Sequence, residues 1–405
     1  MFSFNPGEVS IDLLVVVSPR QSSWNMAPNL ITASVVETIF TPGIMGEIEV
    51  IDYEDYLGKL EIKGDEQVLF QFTKPNGASA FYIFHLNSVK FVTNEASMKA
   101  KTYKLMCISR ESLVGQGNHV QKSYNDQISN IIKDLFQQLN SSLSPDIETT
   151  SGIRNIKIPN QNIFSAIESL RKESISEKNK SSNFMFYLSQ NGIHFKTMEQ
   201  MMTEGDVKTF KQDNTVGHSM NSDFDHNILS WQVVQNMDAM QRILSGAINQ
   251  RVATFNSHTN EFVKADFKPS SADFTNLGLG SMITEEFKSL FNNVNKSILR
   301  YVNPNQNLKI GKSNVPDNIA YKMLNLAQMQ EQLLRMTVLG DPVLEAGKTI
   351  VCNVPQITNV TNASQLDSQV SGRWLISKLE HDIRRMDKKP RYLNHIEGIK
   401  GSFEK

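Results

Sequence analysis

Cysteine is nearly missing from this 405-residue chain, which has only Cys107 and Cys352, each inside an apolar, strand-like run. Lone cysteines so placed behave as small buried hydrophobes, and they exclude a disulfide framework or a zinc site. An excess of charge of one sign is also missing: 41 Lys and Arg face 42 Asp and Glu. That balance excludes the strongly basic field of a dedicated nucleic-acid binder and the composition of an acidic disordered chain. Long hydrophobic runs are absent too. The early run Leu13–Val17 has no basic residues before it, as a targeting signal would need, and is far too short to span a bilayer. It reads as a buried strand in a protein made in a reducing cytoplasm, where the sequons at Asn359 and Asn362 are chance matches.

Spacings that carry chemistry are equally scarce. His85, His119, His194, His218, His226, His258, His381 and His395 are scattered with no metal-binding interval. His194, between Ile193 and Phe195, points opposite to both and reads as a satisfied or solvated strand side chain, not a ligand. There is no Gly-x-Ser-x-Gly elbow. Gly340-Asp341-Pro342-Val343-Leu344-Glu345-Ala346-Gly347-Lys348-Thr349 resembles a phosphate loop but has six residues, not four, before Gly-Lys-Thr, and a strand follows where a helix is needed. Gly311-Lys312-Ser313 lacks the upstream glycine. Asp52, Glu54 and Asp55 read as a solvated turn, and Arg384-Arg385 with Lys388-Lys389 and Arg391 as a hairpin tip. No catalytic, cofactor-binding or metal-binding residue is assigned. The residues expected to matter are structural: Gly340, Asp341, Pro342 and Gly347, where Pro342 must end a strand and Gly340 is expected to need a glycine-only backbone.

What is present is β pattern. Period-2 apolar runs predict strands at Ile11–Ser18, Leu30–Phe40, Met45–Asp52, Val68–Thr73, Ala80–Val92 and Lys101–Ile108, punctuated by Pro- and Gly-rich turns. Ser123 then reads as a helix cap before the stripe Ile128, Ile131, Ile132, Leu135, Phe136, Leu139. After a polar loop (140–152), Ile158-Pro159-Asn160 leads into a helix with Phe164, Ile167 and Leu170 inward. A charged linker (172–182) precedes a hairpin of Asn183–Leu188 and Gly192–Lys196, with Asn191-Gly192 expected to supply positive φ angles. Strands return at Asn227–Asn236 and Gly246–Phe255. A polar insertion follows, with one helix carrying Phe287, Leu290, Phe291, Val294 and Ile298 and another at about Asp317–Leu333. The last strands are Arg335–Leu339, Thr349–Val354, Trp374–Asp382 and Leu393–Ser402. The expected fold is α+β, with two small antiparallel β barrels, the second split in sequence. The barrels fall at 1–112 and at 222–255 with 334–405. A helical and hairpin domain occupies 113–221, and an α-rich insertion 256–333. No sequence repeat between the two β units is evident.

Three stretches, each a packing or turn pattern, together resemble the baseplate hub family of contractile phage tails, related to the base of type VI secretion spikes. They are Ile158–Leu170 with its hairpin, Gly246–Phe262 with Arg251-Val252-Ala253-Thr254-Phe255, and Leu339–Pro342 with Ala346-Gly347, Gly372–Ile376 and His381. The order of parts carries the likeness over nearly the whole chain. The resemblance implies a non-catalytic virion late protein without cofactor or membrane anchor. It implies a homotrimeric ring of six similar barrels that matches a hexameric tail tube to a trimeric central spike, with DNA free to pass through. Partners implied are the spike, tail tube and baseplate wedge proteins, in a virion tail baseplate assembled in the host cytoplasm. Sequence-specific nucleic-acid binding is not implied. Another tail or injection-system component and a peptidoglycan-degrading tail enzyme remain as alternatives.

Overall fold

The computed structural model describes residues 7–20, 22–59, 62–95, 99–179, 181–212, 224–236, 240, 250–256, 260–267, 296–302, 332–356, 366–386 and 389–400. The first unit holds β1 (Ser10–Ser18), β2 (Ser22–Asn25), β3 (Leu30–Thr38), β4 (Met45–Asp52), the short helix α1 (Tyr56–Lys59), β5 (Gln67–Thr73), β6 (Ser79–Glu95) and β7 (Ala100–Ser109). All six strands expected there form. Their burial alternates with period two, as a sheet with one inward face requires.

The middle unit holds α2 (Arg110–Gly117), β8 (His119–Gln127), α3 (Ile128–Gln138), β9 (Ser144–Ile147), β10 (Ile153–Asn162), α4 (Ile163–Glu173), β11 (Phe184–Ser189), β12 (Gly192–Thr197) and α5 (Met198–Thr203). Here local pattern misleads. Ser123 does not cap a helix; it pairs with Lys157 in the β8–β10 ladder, and α3 starts only after Gln127. Long-range strand pairing overrides a local capping preference, as propensity is a weak prior. The expected loop 140–152 contains β9, which runs parallel to β12. The expected linker is closed by Ser176 N–H donating to Ser181 O (2.7 Å) and by Ser151 N–H donating to Ile175 O (2.8 Å). The hairpin forms as expected, yet neither Asn191 nor Gly192 has positive φ.

The rest comprises β13 (Asp206–Lys211), β14 (Ile228–Asn236), β15 (Gln250–Asn256), β16 (Glu261–Phe267), β17 (Lys296–Val302), β18 (Gln332–Leu339), β19 (Thr349–Asn353), β20 (Gly372–Met386) and β21 (Lys389–Lys400). β14 does pair with β18, across the insertion. β15, expected beside them, pairs instead with β16 and β17. The described parts of the insertion are strands: Ile298, expected on a helix, lies in β17, and Leu333 lies in β18. Residues 268–295 and 303–331, with Gly311-Lys312-Ser313 and the bodies of both expected helices, lie outside the described residues.

The chain is mainly β rather than α+β, and among the described residues neither β unit closes into a barrel. One path of strands runs β14-β18-β21-β20-β3-β4-β7-β6-β5-β1-β2. The reason is the β3–β20 ladder, Lys378 opposite Thr38 through Arg384 opposite Thr32. Strand edges that could have closed each unit on itself satisfy their backbone groups across the boundary instead.

Within that path lies a repeat. The order β3-β4-β7-β6-β5 of the first unit recurs as β14-β18-β21-β20-β19 of the second, with chain order and antiparallel pairing both kept. Two of the irregularities recur with it, while the shifts at Val233/Gln235 in β14 and at Lys90/Thr93 in β6 have no counterpart. A register shift between Leu30 and Thr32 against β4 matches one between Ile228 and Ser230 against β18. Another between Leu86 and Ser88 matches one between Ile376 and Lys378. Beside the latter, Leu86 N–H donates to Glu66 O (3.0 Å), and Ile376 N–H donates to Lys348 O (2.9 Å) at the equivalent place. Bulges are built-in features of a sheet, so their recurrence marks the units as copies of one plan. Buried residues correspond: Val68 with Ile350, Phe84 with Trp374, Leu105 with Ile396. The likeness ends one strand further, where β1 runs antiparallel to β5 but β13 runs parallel to β19.

Candidate functional site: a buried polar junction

Three segments far apart in sequence bring polar side chains to one place. β3 carries Glu37 inward from the first unit, fully buried. The tight β11–β12 turn presents Ser189, Gln190 and Asn191. The β18–β19 connection presents Glu345, Ala346 and Gly347. One apolar cluster joins these segments to α5, β20 and β21: Ile39, Met185, Tyr187, Met198, Met201, Ala346, Leu375 and Ile399. A polar group buried this way must be hydrogen-bonded to be tolerated.

It is. Glu37 accepts from Gln190 N–H (2.8 Å), Ala346 N–H (3.2 Å) and Tyr82 O–H (3.3 Å). Burial, reinforced by the neighbouring Glu345 charge, still pushes Glu37 up to about 8. Glu345 accepts from Ser189 Oγ (2.6 Å) and Asn191 Nδ2 (2.5 Å). Ser189 Oγ also lies 2.8 Å from His194 Nε2, and His194 Nδ1 lies 3.0 Å from Asp146 of β9. The His194 hydrogen bond, with Lys196 beside it, holds the Asp146 carboxyl below the usual carboxylate range. Lys196 continues the chain to Glu204 (2.7 Å).

Serine, histidine and aspartate in this order have the connectivity of an acyl-transfer triad. Ser189, however, is wholly buried and its hydroxyl is engaged by Glu345. A nucleophile must be presented to a substrate. Here the three residues act as a strut between the hairpin and β9. Of the two readings its position allows, satisfied or solvated, His194 takes the first: it is buried and hydrogen-bonded on both ring nitrogens.

The residues singled out from the sequence fall along the β18–β19 connection. Gly340 follows the last residue of β18, and its N–H donates to Tyr392 O (3.0 Å). Its φ is not positive; it must be glycine because a Cβ would lie 2.1 Å from the Tyr392 ring. Asp341 pairs with Lys208 (2.5 Å), and its N–H donates to Asn394 Oδ1 (2.6 Å). Burial would raise the Asp341 carboxyl, but the hydrogen bond and charge of Lys208, the Val343 N–H and the Lys74 charge together outweigh it and hold the group low. Pro342 is buried just past the strand end. Gly347 has φ +84° and meets Tyr187 Oη so closely that a Cβ would lie 2.1 Å away. A strand, β19, follows Lys348, so the phosphate-loop context is absent.

Sequence reasoning missed Glu37, Ser189, Asn191 and Glu345. Glu37 had one available signal, a charged residue in phase with the inward positions of β3. Asp52 was misread as solvated: it is buried and accepts from Glu54 N–H (3.0 Å), Leu57 N–H (3.2 Å) and Tyr103 O–H (3.1 Å). Cys107 and Cys352 are buried as expected, and burial pushes both thiols up to about 12. A separate open cleft of about 430 Å³ lies on the outer face of β14, β18, β20 and β21. Its charges are mixed, with Arg335 bonded to Glu397 (2.8 Å).

No family model and no curated protein matches the chain. Solved structures do. The chain is similar to the 43 kDa tail protein of prophage MuSo2 from Shewanella oneidensis, with 8% identity and a TM-score of 0.59 over 96% of this chain and 98% of that one. It is similar to the tail protein from Neisseria meningitidis MC58, with 10% identity and a TM-score of 0.54 over 97% and 96% of the two chains. It is also similar to a chain of the lidded Francisella PdpA-VgrG complex, with 13% identity, a TM-score of 0.50 and coverage of 98% of this chain, but about half (54%) of the matched one. The likeness at these identities is one of fold, and the fold is that of these tail proteins.

Proposed function

We propose that this chain is a structural subunit of a phage-type tail baseplate, a hub that forms a homotrimeric ring. Six similar β units then face a hexameric tail tube on one side, and three copies face a trimeric central spike on the other. The ring belongs in the virion tail baseplate, is assembled in the host cytoplasm and contacts wedge proteins at its rim. Gly340, Asp341, Pro342 and Gly347 shape the connection that locks the second unit to the middle unit. The role is architectural, not catalytic.

One observation carries this reading: the five-strand repeat, matched down to two register shifts. A chain holding two copies of one unit lets threefold symmetry imitate sixfold symmetry without new surface chemistry. The similar tail proteins, matched over nearly their full length, support the same assignment. The buried junction supports rigidity, since it ties both units to the middle one. Mass measurement in solution with electron microscopy of the purified chain is the test. A three-copy ring with a central hole is expected. A monomer at all concentrations would remove the hub reading.

A further inference from the structure

Among the described residues, the repeat contains an unused edge. In the second unit, the first half of β20 pairs with β19 and the second half, Lys378–Arg384, pairs with β3. In the first unit, the first half of β6, Ser79–His85, pairs with β5 in the same way. The second half of β6 has β7 on one side and, among the described residues, no strand on the other. The strand equivalent to β3 is β14, which ends the sheet path with β18 as its one partner among the described residues. Among the described residues, the chain therefore satisfies the β20–β3 relation once within itself and presents both halves of it a second time without a strand partner, β14 at one end of the path and β6 toward the other.

Resting on the oligomeric reading above, we infer that β14 of one copy pairs antiparallel with the second half of β6 of the next copy, repeating the β3–β20 ladder between chains. The equivalence sets the register. Val36 lies opposite Glu380 within the chain; Val36 pairs with Met45, whose equivalent Leu333 pairs with Gln235, so the matching positions are Gln235 and Lys90. Surface character supports the occupant. Phe91 is 70% and Val92 51% exposed on β6, while Leu229 is 44% and Val234 42% exposed on β14. Exposed apolar side chains on bare strand edges are an aggregation liability unless a partner covers them. Two edges of one plan that fit head to tail make a heterologous contact, which closes into a ring when the rotation allows. Main-chain bonds would supply adhesion and the apolar pairs the specificity, as in strand addition generally.

The full-length chain is tested by cysteine cross-linking. Val36→Cys with Glu380→Cys is the internal control and should form an intrachain bond under mild oxidation. Lys90→Cys with Gln235→Cys should give covalent dimers and trimers on non-reducing gels, and each single variant should give neither. Opposed strand residues come close enough for a disulfide. In parallel, Phe91→Glu and Val234→Glu should each shift the assembled species toward monomer at least tenfold in concentration, with the melting transition of the monomer unchanged. A trimer by mass that gives no cross-link and is indifferent to both glutamates overturns the pairing and leaves the hub reading standing. A native chain that is monomeric throughout overturns both.

Discussion

The β4–β5 connection of the first unit and the β18–β19 connection of the second occupy the same place in the repeat, yet they do different things. In the first, Glu66 folds back on its own loop, accepting from Lys63 N–H (2.9 Å) and Gly64 N–H (2.8 Å), with Arg20 3.3 Å away. Gly64 has φ +96° and open space around it. In the second, Glu345 reaches outward to Ser189 and Asn191, and Gly347 is pressed against Tyr187. One loop is self-contained and the other is a joint. The same backbone plan thus carries either a quiet turn or an inter-unit contact, and the choice is made by which neighbour the side chains find.

Four tests break or sharpen that comparison. The largest effect is expected in the equivalent core positions. Phe84→Ala and Trp374→Ala should each cost about 3–5 kcal/mol in urea unfolding, because each leaves a large cavity in a packed sheet face. Similar losses would mark the two units as energetic as well as topological equals, whereas a near-silent Phe84→Ala would show that the second unit carries the stability. Next come the two loops. Gly347→Ala should cost about 2–4 kcal/mol, from backbone strain plus the Tyr187 clash, against about 1 kcal/mol for Gly64→Ala, which has strain alone. Equal costs in thermal unfolding would mean that the joint is not tighter than the turn.

The third test uses pH. Glu37 is raised from its ordinary 4.5 to about 8 in the folded chain, so the folded state holds its proton more strongly than the unfolded state. Stability should therefore fall as pH rises from about 4.5 to about 8, then level off. Glu37→Gln keeps the size but removes the titration, and should flatten this part of the stability profile. An unchanged slope would place the titration elsewhere. The smallest effects belong to the outer face. Glu47 and Arg335 sit at equivalent positions and hold half-buried partners, Lys104 (2.5 Å) and Glu397 (2.8 Å). Alanine at either should cost below about 1 kcal/mol and lose even that in high salt.

Much of the strand content was legible because β3, β5 and β7 alternate cleanly between inward and outward residues. The repeat was not. Equivalent positions keep only apolar character, as Val68 with Ile350 or Phe84 with Trp374 show, and the spacing between equivalents changes at each connection, so no constant period exists. The insertion between β14 and β18 makes the largest jump. The β15 segment was assigned to the wrong sheet because a strand pattern states that a residue pairs, not with what. The junction was illegible for a related reason. Glu37, Ser189 and Glu345 each look like an ordinary polar residue beside a turn or strand, and their meaning depends on neighbours more than a hundred positions away.

That distance has a consequence in time. Glu37 leaves the ribosome early, but the Ala346 N–H that satisfies it lies 309 residues later. Through most of synthesis β3 has one finished neighbour, β4, while its other ladder awaits β20 near the end of the chain. Contacts so far apart form slowly and leave sticky edges waiting. The junction can therefore set only late in synthesis, and a product stalled before Ala346 would keep an ionisable acid and a bare strand exposed together. Such a product is marked as incomplete by its own chemistry, before any partner has to recognise it.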